Sequence, residues 1–80
     1  MSTAKYRLFE GPGHAWLEVP VSEVTADMHI TGYSWTVGGK YYLEEDVDMW
    51  RFLHAKYGKD FTGTDLARIV TTVYRNAPGY

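Results

Sequence analysis

The chain contains no cysteine. That excludes disulfides and thiolate zinc sites, and it makes a reducing compartment the natural setting. No apolar run approaches the roughly 20 residues that a membrane-spanning helix needs. The opening stretch MSTAKYRLFE has no apolar core of the kind a secretory leader carries. A basic excess is missing as well: eight Lys and Arg stand against ten Asp and Glu, for a net charge of −2. No electrostatic footprint for direct nucleic-acid binding results. Internal repeats, linkers and low-complexity segments are also lacking. Together these absences point to a cytoplasmic, soluble protein that contacts neither membrane nor nucleic acid directly.

What is present is a core-forming composition. Apolar residues make up 45% and aromatics 16%, with seven Tyr and three Trp in 80 residues. One domain over residues 1–80 is expected, near the lower size limit for a hydrophobic core. Residues 4–9 alternate well enough for a first strand. Gly11-Pro12-Gly13 punctuates a turn, and His14 to Val19 reads as a second strand with Trp16 and Glu18 on one face. Residues 21–28 suit about two helical turns, with Val24 and Met28 facing inward. Residues 33–37 and 40–44 form a second hairpin around Gly38-Gly39, because the turns that match strand twist need positive φ. Tyr33, Trp35 and Val37 would line one of its faces.

A helix over residues 46–57 follows, with Asp46 as N-cap, Asp48 in the first turn and Gly58 as the C-terminal stop. Met49, Trp50, Leu53 and Tyr57 give its buried stripe, and Arg51, His54 and Lys56 its solvent face. The segment after residue 62 is pulled two ways. Thr62 with Asp65 mimics a capping box ahead of a helical stripe, whereas IVTTVY is rich in β-branched residues that prefer strands. An extended conformation is favoured there. The fold class expected is α+β: a small antiparallel sheet of four or five strands with one main helix packed on it.

The densest chemistry lies at the strand-to-helix junction, where Glu44, Glu45, Asp46 and Asp48 fall within five positions. The simplest reading is a helix cap and a solvated helix start. A calcium loop would need a D-x-[DN]-x-[DN]-G pattern, which is absent. Paired carboxylates could serve glycosidase-like acid–base chemistry, but so short a chain leaves little room for a substrate cleft. His14, His29 and His54 lie on separate elements without metal-binding spacing, so no metal or other cofactor is expected. Recognition is the remaining use: carboxylates can pair with Arg and Lys of a basic partner, as phosphates do. Tyr41 and Tyr42 point to opposite sheet faces, so one of them should be exposed beside the carboxylates. The candidate partner-binding set is therefore Tyr41, Tyr42, Glu44, Glu45 and Asp48.

The segments GHAWLEV at 13–19, YSW at 33–35 and YLEEDVD at 42–48 resemble a family of small uncharacterised phage and mobile-element proteins. Members of that family read G-H-G-W-L, Y-S-Y and Y-L-E-E-D-C-D. The likeness covers residues 11–57 and departs at Ala15, Trp35 and Val47. It implies no catalytic activity. By analogy of genomic context it implies an anti-defence inhibitor of the anti-CRISPR type, which binds a host effector complex and blocks its nucleic-acid-binding surface without catalysis. Two alternatives stand beside it. One is a small metal-dependent enzyme or accessory using Asp46, Asp48 and a histidine. The other is a structural or regulatory homodimer formed through a sheet edge.

Overall fold

The computed structural model describes residues 4–80; the first three residues of the stretch read above for a leader lie outside it. Five strands form one sheet: β1 (Tyr6–Gly11), β2 (His14–Pro20), β3 (Trp35–Val37), β4 (Lys40–Glu44) and β5 (Val70–Val73). Their spatial order is β3-β4-β2-β1-β5. Two helices, α1 (Asp48–Tyr57) and α2 (Gly63–Ile69), lie between β4 and β5. The α+β class is as expected. The sheet is mixed rather than wholly antiparallel, because β5 pairs parallel to β1, with Tyr6 opposite Val70. The two helices supply the long crossover that returns the chain to that edge, as a parallel pair requires.

Local chemistry explains most element boundaries. Gly38 and Gly39 both take positive φ, 56° and 81°, and close the β3–β4 hairpin. The Thr62–Asp65 capping box is formed in both directions and starts α2. At Val70 the β-branched run takes over and the chain becomes β5. The opposing signals in residues 62–74 are thus both obeyed, one after the other. Residues 21–28 form two short 3₁₀ turns, Val21–Glu23 and Ala26–Met28, instead of a continuous helical stretch. Val24 and Met28 still pack toward the core.

Helix α1 begins two residues later than expected. Val47 occupies the N-cap position and no side chain caps it, so Asp46 is not the cap. The stripe that α1 buries is Met49, Phe52 and Leu53; Trp50 and Tyr57 are only partly covered. Phe52 is the core residue that the expected stripe lacked.

Strand alternation splits the interior into two layers. On one face Tyr6, Leu17, Val19 and Leu43 meet Met49, Phe52, Leu53 and Leu66 from the helices. On the other, Phe9, Trp16 and Tyr42 cluster with Ala77 and have Trp35 and Val73 against them. That second face is covered by the last residues of the chain. Trp35 Nε1 donates to the Pro78 carbonyl at 2.7 Å, and the Tyr80 ring lies 4.6 Å from that of Trp16. Gly79, at φ +87°, permits the approach: a Cβ there would stand 2.7 Å from Trp35 Nε1.

The buried charge on the aromatic face is paired. Glu18 accepts from Arg7 Nε at 2.8 Å and Arg7 Nη2 at 2.9 Å, and from the Tyr42 hydroxyl at 2.8 Å. The two Arg7 donors hold Glu18 below the ordinary carboxylate value, while burial and the Glu18 contact push the Tyr42 hydroxyl up to about 12. None of the described helices is long and apolar enough to cross a membrane.

Candidate functional site

The β4–α1 junction is fastened from inside. Asp48 is fully buried. Its Oδ1 accepts from the Thr31 backbone N–H at 2.9 Å, and its Oδ2 from the Thr31 hydroxyl at 2.6 Å and the Ser34 hydroxyl at 2.5 Å. Ser34 Oγ accepts in turn from the Glu44 backbone N–H at 3.0 Å. Burial alone would raise the Asp48 carboxyl, but the Ser34 and Thr31 donors outweigh it and hold it below its ordinary value. The network ties the loop before β3 to the start of α1. Asp48 therefore does not belong to a partner-binding surface, and its oxygens are committed to these donors rather than to a metal. The reason is register: one residue past the turn, its side chain points inward under Thr31 and Ser34.

Tyr42 also leaves the expected set. It is 3% exposed, packed edge-on to Phe9 on the aromatic face, with its hydroxyl on Glu18. Tyr41, on the opposite face as alternation requires, packs half-buried against the helix-side core. Neither tyrosine presents its ring beside the carboxylates. Tyr33 does so instead. Strand β3 starts only at Trp35, which leaves Tyr33 on the preceding turn, 79% exposed. Its hydroxyl has no partner among the described residues.

The outward carboxylates make a ridge at one end of the sheet. Glu44 ends β4, and its Oε1 accepts from the Asp46 backbone N–H at 2.8 Å, which shapes the turn. Glu45 follows on the other face, and its backbone N–H donates to the Ala15 carbonyl at 3.1 Å. A groove flanks the ridge on each side, and Asp46 lines both. One is lined by His14, Tyr33, Glu44 and Val47; the other includes Glu10, Ala15, Glu45, Met49 and Trp50. Burial first, then the charges of Asp46 and Glu44, raise the Glu45 carboxyl above its usual value; Glu10 adds to the rise and His14 opposes it. Among the described residues the ion pairs are Arg7–Glu18 and Lys56–Glu23, so no Lys or Arg neutralises the ridge.

Of the residues singled out by sequence, Glu44 and Glu45 are thus brought together at the surface. Asp48, Tyr41 and Tyr42 are turned to structural tasks. Glu10, His14, Tyr33 and Asp46 complete the surface. Glu10 was legible only through the β1–β2 register, which places it opposite Ala15 and hence one strand from Glu45. Among the described residues no group of three His, Asp or Glu side chains is placed to hold a metal ion. His54 Nε2, in the C-terminal half of α1, instead contacts the Phe61 carbonyl at 3.0 Å. Comparison with protein-family models, with curated proteins and with solved structures found no match.

Proposed function

We propose that this protein acts by stoichiometric binding rather than catalysis, and that its ridge of Glu44, Glu45 and Asp46, with Tyr33 beside it, docks on a basic protein surface. The reading is of an anti-defence, anti-CRISPR-type protein working in the cytoplasm of a host cell. Its partner is the Lys- and Arg-rich channel through which an effector complex holds nucleic acid. The observation that carries the reading is the uncompensated charge: four carboxylates, Glu10 included, share one end of the sheet, and among the described residues no Lys or Arg forms an ion pair with any of them. Mutual repulsion of that kind is relieved when a cationic partner arrives. The exposed Tyr33 ring adds apolar area and a hydroxyl at the rim, the amphipathic chemistry common in protein interfaces.

A surface of this type carries a stability cost that function explains. Glu45→Gln should stabilise the free protein by about 0.5 kcal/mol near neutral pH. Because the folded-state carboxyl is raised, the wild-type disadvantage is absent at acid pH, below the carboxyl's unfolded value, and grows as pH rises through the folded one. Thermal melts of both proteins across the carboxylate range check this; a destabilised Glu45→Gln at neutral pH would mean that Glu45 is held by an internal contact. In binding assays with the basic partner, the same variant should be weaker and its salt dependence shallower.

The partner itself is sought by affinity capture from a bacterial lysate containing an active CRISPR effector complex, with competing nucleic acid added in a parallel sample. Recovery of effector subunits that falls when nucleic acid is added supports the reading. Recovery indifferent to nucleic acid places the contact away from the channel and contradicts it.

A further inference from the structure

The groove on the helix side of the ridge has a specific shape, and the small Ala15 is part of its lining. Across the sheet end, Glu10 on β1 is paired with Ala15 on β2, and Ala15 accepts the backbone hydrogen bond of Glu45. Strands β1 and β2 and the turn after β4 thus present carboxylate, methyl, carboxylate. The short Ala15 side chain leaves a gap that Met49 and Trp50 of α1 and Leu66 of α2 wall with apolar surface, giving a groove of about 480 Å³. Its lining is mixed: the carboxylates of Glu10, Glu45 and Asp46 stand beside the Trp50 indole and the apolar Met49 and Leu66.

We propose that this groove receives an arginine side chain of the partner, a claim that rests on the binding role above and sharpens it. The occupant's chemistry follows from complementarity. A long cationic side chain lays its methylene stem on apolar surface while its head stays with charge. The choice of arginine over lysine comes from Trp50 beside the carboxylates. A planar guanidinium stacks on an indole and forks toward carboxylates at the same time, whereas an ammonium is a hydrated point charge that favours neither as strongly. The groove on the other side of Asp46, with Tyr33 and His14, has no helix side chain and no indole in its lining.

The test is a heteronuclear NMR titration of the labelled full-length protein with the peptide acetyl-Gly-Arg-Gly-Arg-Gly-amide, against twins carrying lysine or uncharged citrulline. The reporter is the Trp50 indole N–H, assigned through Trp50→Phe. It is separable from Trp35, whose indole is bound to Pro78, and from the buried Trp16. The arginine peptide should shift Trp50 and the amides around Ala15 and Glu45, the lysine peptide less, and the citrulline peptide not at all. Ala15→Leu fills the gap without changing charge and should abolish the Trp50 shift. Glu10→Gln should weaken the arginine peptide about fivefold. Amide spectra of both variants verify the fold. If Ala15→Leu unfolds the chain, Glu10→Gln with the citrulline control decides alone. An unmoved Trp50, an equal or larger lysine response, or a shift that survives Ala15→Leu in a folded protein would overturn the pocket. Shifts confined to Tyr33 and His14 would overturn it as well, while leaving the acidic ridge as the docking surface.

Discussion

Asp48→Ala is expected to destabilise the protein by about 3 kcal/mol, because it leaves three donors, one buried and two part-buried, facing an emptied site. Those donors are the Thr31 backbone N–H and the hydroxyls of Thr31 and Ser34. Asp48→Asn keeps the volume but offers one acceptor oxygen where the carboxylate offers two, and should cost about 2 kcal/mol. The pH dependence distinguishes this account from a simple packing loss. The Asp48 carboxyl is held below its ordinary value in the folded protein, so its contribution is complete above the unfolded value and is lost as pH falls through the folded one. The gap between wild type and Asp48→Asn should therefore be full at neutral pH and shrink in acid. Denaturant melts at several pH values measure it. A gap that does not change with pH would mean that the neutral acid already satisfies the network. The same variant bears on function: Tyr33 is held outward by the segment that Asp48 anchors, so loss of the network disorders the rim of the docking surface without touching its charges.

Trp16→Ala is the second large effect, about 4 kcal/mol from a buried aromatic in a packed layer. Trp16 is 2% exposed and stands at the centre of the aromatic face, 5.9 Å from the Trp35 ring and 4.6 Å from the Tyr80 ring. Its loss removes the platform on which the C-terminal residues lie. The prediction is a loss of two kinds: a lower global stability, and faster exchange of the Trp35 indole proton as its bond to the Pro78 carbonyl opens. Hydrogen exchange followed on the Trp35 indole separates them. If the indole remains as protected as the global unfolding free energy allows, the terminal segment is held by the buried Ala77 rather than by the aromatic stack. A chain of this length has only a modest margin of stability, so the variant stands near the threshold of folding.

These two variants mark where sequence was informative and where it was not. The turns were legible from Gly38-Gly39 and Pro12-Gly13, because only certain residues accept those backbone angles. The strands β1, β2 and β4 and the main helix followed from periodicity. The extended stretch at β5 was legible from its β-branched run, but the helix before it and the parallel pairing were not, since helix and strand signals overlap in residues 62–74 and only tertiary pairing with β1 shows where one yields to the other. The tail from Ala77 to Tyr80 reads as irregular and is irregular, yet it seals a hydrophobic face. No periodic pattern announces that task. The carboxylate run was legible as chemistry but not as geometry. A one-residue difference between Val47 and Asp48 decides surface against interior, and sequence-derived helix starts are not resolved that finely. Asp48 thus became an internal fastener, and Tyr42 a core residue on Glu18. Charge reversal at Asp48 would consequently break the fold rather than probe the docking surface.

The most direct test of the account is therefore a comparison confined to the exposed ridge. Tagged wild type and the Glu44→Lys/Glu45→Lys/Asp46→Lys variant are used to capture partners from the same effector-containing lysate, with circular dichroism confirming equal folding. The account predicts that wild type recovers effector subunits in a manner suppressed by added nucleic acid, and that the reversed ridge recovers none. Equal recovery by the two proteins, or no effector subunits with wild type, would contradict it.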